Sequence, residues 1–139
     1  MLDKDTIAHV RASYARLRPF ARDTAAAFYA RLFELDPPLR AMFRGDLAEQ
    51  GEKLMAMLAS AVRLASRPEL LDTVLGALGR RHAAYGVELR HYALVGQALI
   101  EALERALGDA FTPAVRTAWI ELYGHLATRM IDAAARRAA

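Results

Sequence analysis

Apolar residues recur through most of this chain three and four positions apart, the period of a helix with one buried face. Ile7, Val10, Tyr14 and Leu17 predict a first helix from about Asp5 to Leu17, with acidic residues in its opening turn. A second, from roughly Pro19 to Leu35, carries Ala25, Phe28, Tyr29, Leu32 and Phe33 on one side. Asp36-Pro37-Pro38 ends it, because a residue before proline is pushed out of the α region, and a short turn over Leu39–Phe43 follows. The third helix, about Leu47 to Ser66, faces inward with Gln50, Leu54, Met57, Leu58, Ala61 and Val62. Ser66-Arg67-Pro68 breaks the chain again before a glycine-spotted helical stretch from Pro68 to Tyr85. Gly86 ends that stretch, and Val87–Arg90 reads as extended. Two long helices complete the pattern. His91 to Leu107 turns Val95, Ala98, Leu99, Ala102 and Leu103 inward; Pro113 to about Arg136 turns in Val115, Ala118, Trp119, Leu122, Leu126 and Met130, with Thr112 as its cap. No segment has the strand period and none repeats, so the fold class is all-α.

A few polar groups interrupt these apolar faces. His82 follows Leu71, Leu75 and Leu78 on one stripe, so its ring should point inward at a helix end, where it is either a core histidine satisfied by a carbonyl or a metal ligand. Tyr29 is the single hydroxyl on its helix face; from spacing alone it is a core tyrosine reaching the surface or a main-chain carbonyl. Gln50 sits at the polar boundary of its stripe, and Lys53 lies one turn on at the flank. Phe43 is an aromatic in a polar loop, where it can simply cap the core from outside.

Composition narrows the chemistry. The 139 residues are enough for one domain with its own core, and 55% hydrophobic residues can also line a cofactor cavity. Absence of cysteine excludes disulfides, thiolate metal sites and covalent attachment of a c-type haem. The N-terminus has no signal-peptide pattern, and no apolar run approaches the roughly 18 residues of a membrane span, so a cytoplasmic protein is expected. Seventeen of the 19 basic residues are arginine, but they are scattered over polar faces, and a net charge of +3 gives little attraction for nucleic acid.

The runs Leu78-Gly79-Arg80-Arg81-His82-x-x-Tyr85-Gly86-Val87, His91-Tyr92-x-x-Val95-Gly96-Gln97, Ala118-Trp119 and Leu122-Tyr123-Gly124 resemble single-domain bacterial haemoglobins and the haem domain of flavohaemoglobins. The likeness covers nearly the whole chain. It implies a globin fold, a helical sandwich enclosing one haem b, with residues 1–139 as a single domain. In that family the histidine matching His82 ligates the haem iron, the loop phenylalanine matching Phe43 stacks on the haem, and Gln50 faces the ligand side. Further contacts are expected from Phe28, Leu54, Met57, Leu78, Arg81, Tyr85, Val87, Tyr92, Val95 and Trp119. Lys53 either pairs with a haem propionate or is a solvated charge.

The resemblance also implies a function. Dioxygen held at a five-coordinate ferrous iron would take hydrogen bonds from Tyr29 and Gln50, and its use would be reaction with nitric oxide to give nitrate; the alternatives are oxygen storage or delivery, or gas sensing. Carbon monoxide is a further expected ligand. With no flavin or nicotinamide segment in the chain, turnover is expected to need an external reductase. A monomer or weak homodimer is expected. One departure stands out. The glutamate that in flavohaemoglobins completes a network with Tyr92 and the proximal histidine falls on Ala134, and Asp132 lies about 200° around the helix from it. His82 is then expected to donate to the Leu78 carbonyl instead.

Overall fold

A computed structural model describes residues 2–138, with side chains described through Arg136. Helix α1 (Lys4–Leu17) runs through a 3-10 turn at Arg18–Phe20 into α2 (Ala21–Leu35); a 3-10 stretch at Pro37–Met42 and a loop lead to α3 (Leu47–Leu64) and then α4 (Pro68–Ala84). Helix α5 (Leu89–Leu107), a 3-10 turn at Gly108–Ala110 and α6 (Pro113–Ala138) complete the chain, with no strand among the described residues. None of these helices is long and apolar enough to cross a membrane. The main contacts are α4 and α1 on α6, and α5 and α3 on α2, an all-α sandwich of crossing helices.

The predicted inward set of α6 is buried in full, from Val115 to Met130. In α1 the buried stripe is Thr6, Val10, Ser13 and Leu17, while Ile7 and Tyr14 are only half-buried. The face is turned because Ser13 and Thr6 have partners. Ser13 Oγ donates to the His9 carbonyl at 2.7 Å and accepts from Trp119 Nε1 at 2.8 Å, and Thr6 Oγ1 donates to Glu121 at 2.7 Å. Hydroxyls satisfied in this way can be buried without an unpaired polar group.

Helix boundaries depart from expectation for equally local reasons. Asp3 caps α1 by accepting from the Thr6 N–H at 2.7 Å, so the helix begins earlier than Asp5. Pro19 belongs to the 3-10 turn, and α2 starts only at Ala21. Helix α3 ends at Leu64, where Arg11 of α1 takes its last carbonyls: Nε donates to Val62 O at 3.3 Å and Nη2 to Arg63 O at 3.1 Å. Helix α5 starts at Leu89, which shortens the expected extended segment to two residues. Glu88 and His91 form a reciprocal cap, in which the Glu88 N–H donates to His91 Nδ1 at 2.9 Å and the Glu88 side chain accepts from the His91 N–H.

Candidate functional site

The site begins with how α4 is held. Gly79 meets the main chain of Met130 on α6, so closely that a β-carbon there would lie 2.7 Å from Met130 Cα. One turn later comes His82. Its Nδ1 lies 2.9 Å from the Leu78 carbonyl oxygen. A carbonyl only accepts, so Nδ1 carries the proton and Nε2 keeps its lone pair, the form that ligates a metal. Burial lowers the His82 pKa below the usual histidine value; the Leu78 bond opposes this and the Arg81 charge adds to it. The ring is therefore neutral at pH 7. Beyond it Gly86 adopts φ 91°, and the Val87 N–H donates to His82 O at 3.0 Å, which turns the chain towards α5.

On α2, Tyr29 is buried among rings. Phe28 meets it edge-on at 4.9 Å between centroids, Phe33 stacks at 6.0 Å, and Phe43 from the loop meets it edge-on at 5.4 Å. Arg40 pins that loop: Nη1 donates to the Phe43 carbonyl at 2.9 Å, and the guanidinium lies over the Phe33 ring. The Tyr29 hydroxyl donates to the main-chain oxygen of Gln50 on α3 at 3.2 Å. It thus already has the carbonyl partner that spacing alone favoured, not a hydroxyl left with only a bound ligand to address. Burial raises its pKa to about 12, so it remains a proton donor.

The remaining expected residues separate into three groups. Phe43, Gln50, Leu54, Met57, Leu78, His82, Val87, Tyr92 and Val95 are all half-buried. Lys53 and Arg81 are exposed, as suits charges at a rim. Tyr85 and Trp119 form the third group, at the two extremes of exposure. Tyr85, the residue after α4, is 76% exposed, and its own N–H closes the helix end. Trp119 is 1% exposed and its indole N–H is bonded to Ser13, which makes it an anchor of α1 on α6. On the α5 side, the Tyr123 hydroxyl donates to the Tyr92 main-chain oxygen at 2.6 Å, made possible by Gly96, where a β-carbon would lie 2.7 Å from the Tyr123 ring.

Periodicity missed the parts played by Gly79, Arg40 and Met55, the last of which is more deeply buried than its neighbours Leu54 and Met57. A glycine in the middle of α4, costly by about 1 kcal/mol, was the available signal for a close crossing. Arg40 offered none.

Haem fits what is present. His82 supplies a neutral imidazole with a free Nε2. Phe43, Leu54, Met57, Leu78, Tyr92 and Val95 pack against the core yet remain part-exposed, apolar surface of the kind a flat macrocycle covers. Fold and site together are an all-helical domain with one inward-facing neutral imidazole beside part-exposed apolar surface. The chain belongs to the globin family, whose profile matches residues 26–130. It is similar to the flavohemoprotein of Rhizobium meliloti, 35% identical over 72% of this chain and 26% of that one, and to that of Deinococcus radiodurans, 32% identical over 94% of this chain and 33% of that one. The chain thus spans a quarter to a third of the length of these curated relatives. As a globin it takes haem b, with iron, as cofactor and binds gaseous ligands such as oxygen.

Proposed function

We propose that the domain binds dioxygen on a haem ligated by His82, with Tyr29 and Gln50 as hydrogen-bond donors, and that this serves oxidation of nitric oxide to nitrate with electrons from an external reductase. The observation that supports the reading is the 3.2 Å bond from the Tyr29 hydroxyl to the main-chain oxygen of Gln50, because it joins the two expected residues across 21 positions of the chain. A haem held on His82 would supply an iron able to bind dioxygen and polarise it. The residues then act as follows. Tyr29, kept protonated by burial, would turn its O–H from the neutral Gln50 carbonyl to a more negative acceptor. Gln50, half-buried on α3, would offer its side-chain amide N–H as a second donor. Phe43, fixed by Arg40, and Leu54 exclude water. His82, its Nδ1–H held by Leu78, keeps its lone pair on Nε2.

Oxygen storage or delivery is the second reading, and the environment of His82 favours it. Its Nδ1–H meets a neutral carbonyl, and Ala134 stands where a carboxylate would raise the basicity of the imidazole. Steady-state nitric oxide consumption by the haem-loaded protein with a reductase distinguishes the two: sustained turnover above the rate of spontaneous oxidation supports the first, and a single stoichiometric reaction the second.

A further inference from the structure

Asp36 is a carboxylate that the fold keeps from water, with only 10% of its side chain exposed. The sequence dictates its place, because Pro37 forbids the α conformation and Asp36 leaves α2 at φ −148° and ψ 86°. A buried carboxylate needs a partner. Arg90, in the first turn of α5, supplies it: Nη1 donates to Asp36 Oδ2 at 2.6 Å, while Nε of the same guanidinium donates to Glu88 at 3.3 Å.

This bond joins the two sides of the crevice. On one side the Asp36 carbonyl accepts from the Leu39 N–H at 3.0 Å, and the 3-10 stretch that follows leads to Phe43, whose carbonyl Arg40 holds and whose ring meets Tyr29. On the other, Arg90 follows shortly after Val87, whose N–H closes on the His82 carbonyl at 3.0 Å. Among the described residues no other ion pair joins these two segments. The Arg31–Glu101 pair at 2.8 Å also links α2 to α5 but involves neither of them.

We propose that Asp36 and Arg90 form a clamp between the Phe43 segment and the His82 corner, and that this clamp sets how long haem is retained. The inference rests on haem being held by His82. Haem leaves when the two sides part, and parting them here breaks the pair and strands the Asp36 carboxylate. Arg90 is 60% exposed, so water shares its guanidinium and the effect falls at the low end for a hydrogen bond between charged groups. The contact of α2 with α5 rests on buried apolar side chains, so the two residues position the crevice walls and do not hold the helices together.

The test is the rate at which the haem-loaded protein gives up ferric haem to excess apomyoglobin. Arg90→Gln, at an exposed position, should lose haem about 10-fold faster, and Asp36→Asn by a similar factor. The double variant should be no faster than the faster single one, because both remove the same bond. Arg90→Lys, which keeps the charge, should return most of the retention, and Arg31→Gln should match the wild-type rate. A wild-type rate in Arg90→Gln, multiplying effects in the double variant, no recovery in Arg90→Lys, or equal acceleration by Arg31→Gln would each overturn the clamp. Haem held as firmly by His82→Ala as by the wild type would instead overturn the reading of the site on which it rests.

Discussion

Gly79 of α4 lies directly on the main chain of Met130 of α6, with no space between them for a β-carbon. The obstacle is backbone, which cannot rotate aside as a side chain can. Gly79→Ala should destabilise the fold by about 1–3 kcal/mol, in spite of alanine's better helix propensity, and should weaken haem retention because His82 is one turn away. Gly76→Ala is the control. The nearest atom to its new β-carbon is the flexible Arg80 Nη1 at 3.4 Å, so this variant should be unchanged or more stable by up to about 1 kcal/mol. Urea midpoints of the two variants check both statements.

His82→Ala should lose haem. The wild-type protein should carry one b-type haem per chain, and its reduced, ligand-free form should be five-coordinate, because no histidine lies between Val10 and Arg81 to supply a second imidazole. Pyridine haemochrome assay and the ferrous absorption spectrum are the measurements; a low-spin bis-histidine spectrum would contradict the coordination.

Tyr29→Phe should release oxygen about 10- to 150-fold faster, the loss of a hydrogen bond to a partly charged acceptor worth about 1.5–3 kcal/mol. The equilibrium affinity should fall by less. Without ligand the hydroxyl returns to Gln50 O, a neutral bond worth about 0.5–1.5 kcal/mol, so affinity reads only the difference. Carbon monoxide, a less polar ligand, should respond much less, and Gln50→Leu should act in the same direction more weakly. Stopped-flow release of both gases decides the matter; equal effects on the two would mean that Tyr29 acts by packing.

Stability should also depend on pH through His125. Burial lowers its pKa below 6.5, with Asp72 at 3.4 Å opposing and Arg129 reinforcing the shift. The unfolded chain therefore binds the proton more readily than the folded one, so the contribution is complete above about pH 6.5 and is lost as pH falls below it. His125→Gln should flatten the decline in urea midpoint between pH 7 and 5. An unchanged slope would assign the decline to other groups.

Ser13→Ala should cost about 1–3 kcal/mol by leaving the Trp119 indole N–H buried and unpaired, with ligand binding nearly unchanged. Thermal unfolding read beside oxygen release separates this anchoring role from a haem contact.

The helix count, the breaks at Asp36-Pro37-Pro38 and Ser66-Arg67-Pro68, and the inward faces of α5 and α6 were legible in the chain itself, because each rests on local spacing and on what proline forbids. His82 was legible as an inward ring for the same reason, and its likeness to a family gave the ring a role. Spacing could not say which partner a buried polar group finds. Ser13 turned the face of α1 because Trp119 reaches it from 106 residues away, and Tyr29 found Gln50 O on another helix. Period placed Trp119 on the buried face of α6 but could not name the Ser13 hydroxyl that takes its indole N–H, because the element that covers a face is decided only when α4, α6 and α1 cross. That crossing depends on a missing β-carbon at Gly79, whose consequence exists only in three dimensions.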